Sequence, residues 1–234
     1  MSKSWIRWRT LAGGALIAYL AGTGSANAGI VWAEQAPGAG DSILSAQVTA
    51  DNSLGALDAI TGTLNAVVDQ SGTPAYFADI FKIYISDAST FSARTVSNNS
   101  QDDTSLFLFN SGGLGVFMND DDGVGLLSAL PAFGPLIADY YYIAIGLGGF
   151  EAQDGLPRNI FTSGSFTDVR AGDPNAGALA SWTTLTSFGE PALDYRIEFT
   201  GARVAVPEPG TLALVLLAAV GAVASRSKWR PSQA

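Results

Sequence analysis

Short apolar segments that alternate with polar residues, separated by clusters of Gly, Asp, Asn and Ser, run through the middle of this chain. That pattern constrains the fold more than any other feature, because a period of two places alternate side chains on opposite faces of a strand and cannot serve a helix. Tyr195-Arg196-Ile197-Glu198-Phe199 alternates cleanly, and Ile80-Phe81-Lys82-Ile83-Tyr84-Ile85 puts Phe81, Ile83 and Ile85 on one face. Leu106-Phe107-Leu108-Phe109 and Tyr140-Tyr141-Tyr142-Ile143-Ala144-Ile145 are apolar on both faces, as core strands of a sandwich are. Further strands are predicted over residues 60–68, 91–96, 115–118, 160–166 and 181–186. The expected fold is all-β: a single β-sandwich over residues 29–205. Residues 148–177, richer in Gly, Pro and Asp, are expected to form a long loop across one end of the sheet.

The two ends differ in kind from this middle. Lys3, Arg7 and Arg9 precede an apolar run over 11–21, and Ala26-Asn27-Ala28 supplies a small-residue cleavage site. Residues 1–28 therefore read as a signal peptide, cut by signal peptidase between Ala28 and Gly29. An apolar run of this length is too short to span a bilayer comfortably. At the other end, Val206-Pro207-Glu208-Pro209 cannot continue a strand or helix, since each proline fixes φ and lacks an amide donor. An apolar stretch without a polar face follows, giving a short transmembrane helix over 210–225. Arg226, Lys228 and Arg230 close it as a cytoplasmic stop.

Charge and composition narrow the function classes. Of the 12 basic residues, six sit at the two ends, so residues 29–206 carry six against 20 acids. Such a surface repels nucleic acid and favours cations. The chain has neither cysteine nor histidine, which removes disulfides, zinc sites of the Cys/His type and triad hydrolases.

Asn119-Asp120-Asp121-Asp122-Gly123 is the densest set of oxygen ligands. If the strands around 105–110 and 116–118 pair as a hairpin, Asp102 and Asp103 fall at the same end of the sheet. Calcium takes six to eight oxygens and suits such a group. A solvated turn is the other reading, since these residues are also the ordinary turn formers. Paired carboxylates could serve a hydrolase, with Glu151 and Asp154 one such pair, but 20 acids make close pairs inevitable. Trp32, Tyr84, Tyr141 and Trp182 suit either sugar stacking or core packing. The expected protein is not an enzyme.

The proline-glutamate motif, apolar helix and basic end, in that order over residues 206–230, resemble the PEP-CTERM sorting signal. The resemblance implies recognition of Val206, Pro207, Glu208 and Pro209 by an exosortase, a membrane-embedded transpeptidase-like enzyme. It implies a precursor held in the inner membrane, then delivered to the cell surface or extracellular matrix of a Gram-negative bacterium, in association with exopolysaccharide and biofilm. Residues 38–147 resemble a bacterial pre-peptidase C-terminal-like domain, through Gly40-Asp41-Ser42, Ile60-Thr61-Gly62-Thr63-Leu64, Asp79 before its strand, Asp103-Thr104-Ser105 before the next and Asn119-Asp120-Asp121 after it. That resemblance implies a single jelly-roll-like β-sandwich that accompanies enzymes or acts as an accessory module. Two further classes stay open beside a non-catalytic matrix protein: a calcium- or carbohydrate-binding module, and a carboxylate-based hydrolase.

Overall fold

The computed structural model describes residues 29–50, 55–68, 74–76, 78–99, 101–131, 137–183 and 192–205. The signal segment and the sorting tail lie outside them. The described residues are all-β. In chain order the strands are β1 (Ile30–Ala33), β2 (Gln47–Val48), β3 (Leu57–Val68), β4 (Pro74–Tyr76), β5 (Asp79–Ile85), β6 (Ser92–Val96), β7 (Thr104–Asn110) and β8 (Gly115–Asn119). They continue with β9 (Ala129–Leu130), β10 (Asp139–Leu147), β11 (Ala152–Asp154), β12 (Arg170–Ala171), β13 (Leu179–Trp182), β14 (Ala192–Thr200) and β15 (Ala202–Val204).

Two sheets form a β-sandwich-like core. The first runs β1-β3-β14-β6-β9, with β4 added to β3; the second runs β12-β8-β7-β10-β5-β15, with β2 added to β5. Their inner faces are those the alternation assigns. Phe81 meets Trp32 at 5.7 Å and Tyr195 at 6.4 Å between ring centroids, across the two sheets. Opposite residues in register share a face. Ile143 pairs with both Phe81 and Leu108, so all three point inward.

The doubly apolar strand β7 has a physical reason. Phe107 and Phe109 point away from the first sheet, on the face opposite Leu108. They are covered by the excursion between β10 and β14: Phe107 lies 5.0 Å from Trp182 and 5.9 Å from Phe161, and Phe109 lies 5.5 Å from Phe161. Residues 148–177 are therefore not a bare loop. They contribute β11, which pairs with β13 in a small separate sheet, and β12, which pairs with β8. The expected strand over 160–166 is not formed; Ile160 and Phe161 are buried, and Phe161 makes one isolated bridge to Gly172. The expected strand over 181–186 begins earlier, at Leu179, and its end lies outside the described residues.

The chain crosses from one sheet to the other at Gly201, between β14 and β15. Its φ of +71° belongs to the region glycine occupies freely, and a Cβ there would lie 2.6 Å from the Asp87 carbonyl oxygen. β15 then runs along β5, with Val204 opposite Ile83.

Candidate functional site

Pairing of β7 with β8 sets Leu106 opposite Asn119, and pairing of β7 with β10 sets Thr104 opposite Leu147. Asp102 and Asp103, which precede β7, thus share one end of the sandwich with Asp120, Asp121 and Asp122, as the hairpin predicts. At this end a cavity of about 860 Å³ is lined by Asn98, Asn99, Asp102, Asp103 and Asp194 over a floor that includes Leu193. No basic residue lines it among the described residues.

The carboxylates at this end have individual duties. Asp120 is buried and accepts from the Ser105 hydroxyl and, at 2.8 Å, from the Gly149 amide. Asp122 accepts from the amides of Val124 and Gly125 at 2.7 and 3.0 Å, closing the turn that its own residue type favours. Asp102 accepts from the Ser97 hydroxyl and from the Asn99 side-chain Nδ2. Asn119 is buried, donating to the carbonyls of Asp121 and Asp168 and accepting from the Ala129 amide. Asp103 is different: burial, then the charges of Asp120 and Asp121, push its pKa up to about 6. Burial and the flanking charges of Asp120 and Asp122 also raise Asp121. Among the described residues no group of three or more acids is arranged to hold a metal ion.

Glu151 and Asp154, adjacent in sequence, are separately engaged rather than facing each other. Asp154 is buried and takes Arg158 at 2.6 Å and the Gly177 amide at 2.8 Å, which holds its carboxyl well below the usual range. Glu151 takes Arg170 at 2.7 Å through one oxygen, while Arg170 also reaches the Met118 sulfur. Both pairs fasten the excursion that covers β7.

A second carboxylate cluster escaped sequence reasoning. The Tyr195 hydroxyl lies 3.0 Å from Asp79 and 3.2 Å from Glu34. Glu34 also accepts from the amides of Ala39 and Thr63. Asp79 is buried, and burial followed by the Glu34 charge pushes its pKa up to about 7. The signal was present: Tyr195 stands at an inward position of its alternating strand, so its hydroxyl needs a buried partner.

The four aromatic candidates are all packed within the domain. Tyr141 is buried, Trp32 abuts Phe81, Tyr84 meets Tyr140 at 5.2 Å, and the Trp182 indole donates to the Asp41 carbonyl at 2.7 Å.

The remaining candidates concern the ends of the domain. Ala205 is fully buried, bridges to Ala50, and donates its amide to Thr49. The chain beyond it holds Val206-Pro207-Glu208-Pro209. Residues 205–228 match the PEP-CTERM protein-sorting motif. No curated protein matches the chain. The motif marks an exported protein sorted by an exosortase, made as a membrane-anchored precursor and then processed. No helix among the described residues is long and apolar enough to cross a membrane. Of the predicted cleavage residues, Ala26 and Ala28 lie outside the described residues, as do Arg226, Lys228 and Arg230. Gly29 is described, one residue before β1.

Proposed function

We propose that this protein is a non-catalytic component of the extracellular surface or matrix of a Gram-negative bacterium, delivered by exosortase and associated with exopolysaccharide. The observation that carries the reading is the sorting motif at residues 205–228, set directly behind a closed β-domain. Residues 1–28 act as the cleaved export signal. The cavity of about 860 Å³ at the acidic end supports a polysaccharide partner: Asn98, Asn99, Gln101 and Asp102 offer donors and acceptors suited to hydroxyl groups, and Leu193 offers an apolar floor. The absence of catalysis is supported by how the acids are used. Glu151, Asp154 and Glu198 are each held by an arginine, and Asp79 lies buried beneath Tyr195.

Two experiments on the processed protein test this. Fractionation should place it outside the inner membrane, with matrix polysaccharide, and its mature N-terminus should be Gly29. Purified protein should be retained by the cells' own exopolysaccharide, and Asn99→Ala with Asp103→Asn should weaken retention several-fold. Retention unchanged by the cavity variants would contradict the cavity's part. Turnover of a glycan, abolished by one Asp or Glu substitution, would contradict the non-catalytic reading.

A further inference from the structure

The cavity at the acidic end is lined from both sheets. Ser97 follows β6, and Leu193 and Asp194 lie on β14, in the first sheet; Asp103 leads into β7 and Leu147 ends β10, in the second. Its volume of about 860 Å³ is that of a site for a small organic molecule, for which clefts of about 300–1,000 Å³ are usual, rather than for a single ion. Leu126, Leu147 and Leu193 give it an apolar floor, and Asn98, Asn99 and Gln101 give it uncharged donors and acceptors. A floor and rim of this kind suit a sugar ring, which is apolar on its C–H faces and polar at its edge.

The lining also carries an uncompensated negative charge. Asp102 accepts from Ser97 and Asn99, and Asp194 accepts from the Thr63 hydroxyl at 2.7 Å. The Asp103 carboxylate accepts no hydrogen bond from the described residues. It is half-buried all the same, lying against Gly148 on the side where a Cβ would stand. Asp120 and Asp121 are close enough for their charges to disfavour its ionised form. The domain's cations are committed elsewhere: Arg94 and Arg196 to Glu198, Arg158 to Asp154, Arg170 to Glu151, and Lys82 over the Tyr140 ring. A carboxylate so placed gains most from a ligand that brings a positive charge and N–H donors of its own.

We propose that the cavity takes an amine-bearing sugar, one unit of an amino polysaccharide, whose ammonium meets Asp103 while its ring covers Leu193. The inference rests on reading the domain as polysaccharide-associated, and it names the class of polymer. A polymer of uronic acids would meet three like charges, Asp102, Asp103 and Asp194, with no base in the lining to offset them. A neutral or N-acetylated polymer leaves Asp103 without a counter-charge. A bare divalent cation finds no group of three acids arranged to hold it among the described residues.

Calorimetry on the processed protein, just below neutral pH so that the sugar amine is protonated, compares hexamers of β-linked glucosamine, of N-acetylglucosamine and of a uronic acid. The glucosamine hexamer should bind about tenfold tighter than its N-acetylated counterpart, the scale of one charge-assisted hydrogen bond. The uronic acid hexamer should not bind. Asp103→Asn should bring the first affinity down to the second. Asp41→Asn, which changes an exposed acid outside the cavity, should alter neither, and so separates the cavity from general attraction of a polycation to an acidic surface. Equal affinity for the two hexosamine polymers, tighter binding of the uronic acid, or a preference that survives Asp103→Asn or falls equally in Asp41→Asn overturns the proposal. The comparison of ligands on the unaltered protein needs no variant to fold. Retention by the cells' own exopolysaccharide without preference for the amine overturns this inference alone; failure to bind any polysaccharide overturns the reading it rests on as well.

Discussion

At the residue scale, Tyr195 holds the molecule's most consequential polar cluster. One hydroxyl proton serves two carboxylates, Asp79 and Glu34, so one of the two is stable only while Asp79 keeps its own proton. Burial, then the Glu34 charge, pushes Asp79 up to about 7 in the fold, against 3.8 as its ordinary value. The folded state therefore binds more protons than the unfolded chain between these values, and stability falls as pH rises from about 4 to about 7. Asp103, pushed up to about 6, acts in the same direction. Asp154, held low by Arg158, contributes stability above its ordinary value that is lost as pH falls below it. The predicted optimum is mildly acidic. Asp79→Asn should flatten the decline towards neutral pH in chemical denaturation, while Tyr195→Phe should cost about 1–3 kcal/mol by leaving a buried carboxyl without its donor. A neutral-side decline unchanged in Asp79→Asn would contradict the assignment.

At the element scale, the alternating strands were legible because one face is more buried than the other: β14 follows the pattern from Ala192 to Glu198 and β5 from Phe81 to Ile85, with Ile80 buried on the opposite face. β7 was legible as a strand, yet what covers its second face was not. Its cover comes from Phe161 and Trp182 in a segment rich in Gly, Pro and Asp, whose local composition says loop and whose burial is decided by tertiary contact. The very short strands β2, β9, β11 and β12 carry no periodic signal, since two or three residues cannot show a period. For the same reason Arg158 and Arg170 gave no warning that they serve Asp154 and Glu151; the first pair is local, the second spans 19 residues. At the acidic end, sequence brought Asp102, Asp103 and Asp120 to one place, but could not show that Asp120 is spent on Ser105 and Gly149. If the excursion is a true third layer, Phe107→Ala should cost about 3–5 kcal/mol, the range for a buried aromatic. A loss below about 1 kcal/mol in urea denaturation would mean that face is not closed.

At the scale of the whole molecule, the β-domain ends where the sorting motif begins. Ala205 is fully buried and Pro207 can no longer donate to a ladder, so folded domain and processing signal meet without a linker. On the proposed reading, export depends on residues 1–28 and sorting on 206–230. Changing the motif should therefore affect sorting alone. The measurement is to replace Pro207, Glu208 and Pro209 with alanine in exosortase-bearing cells, then to determine the mature C-terminus and location of the protein. The expected result is normal export with an uncut C-terminus and accumulation in the inner membrane, the basic end at Arg226, Lys228 and Arg230 on the cytoplasmic side. Normal processing and release of the alanine variant would contradict the account.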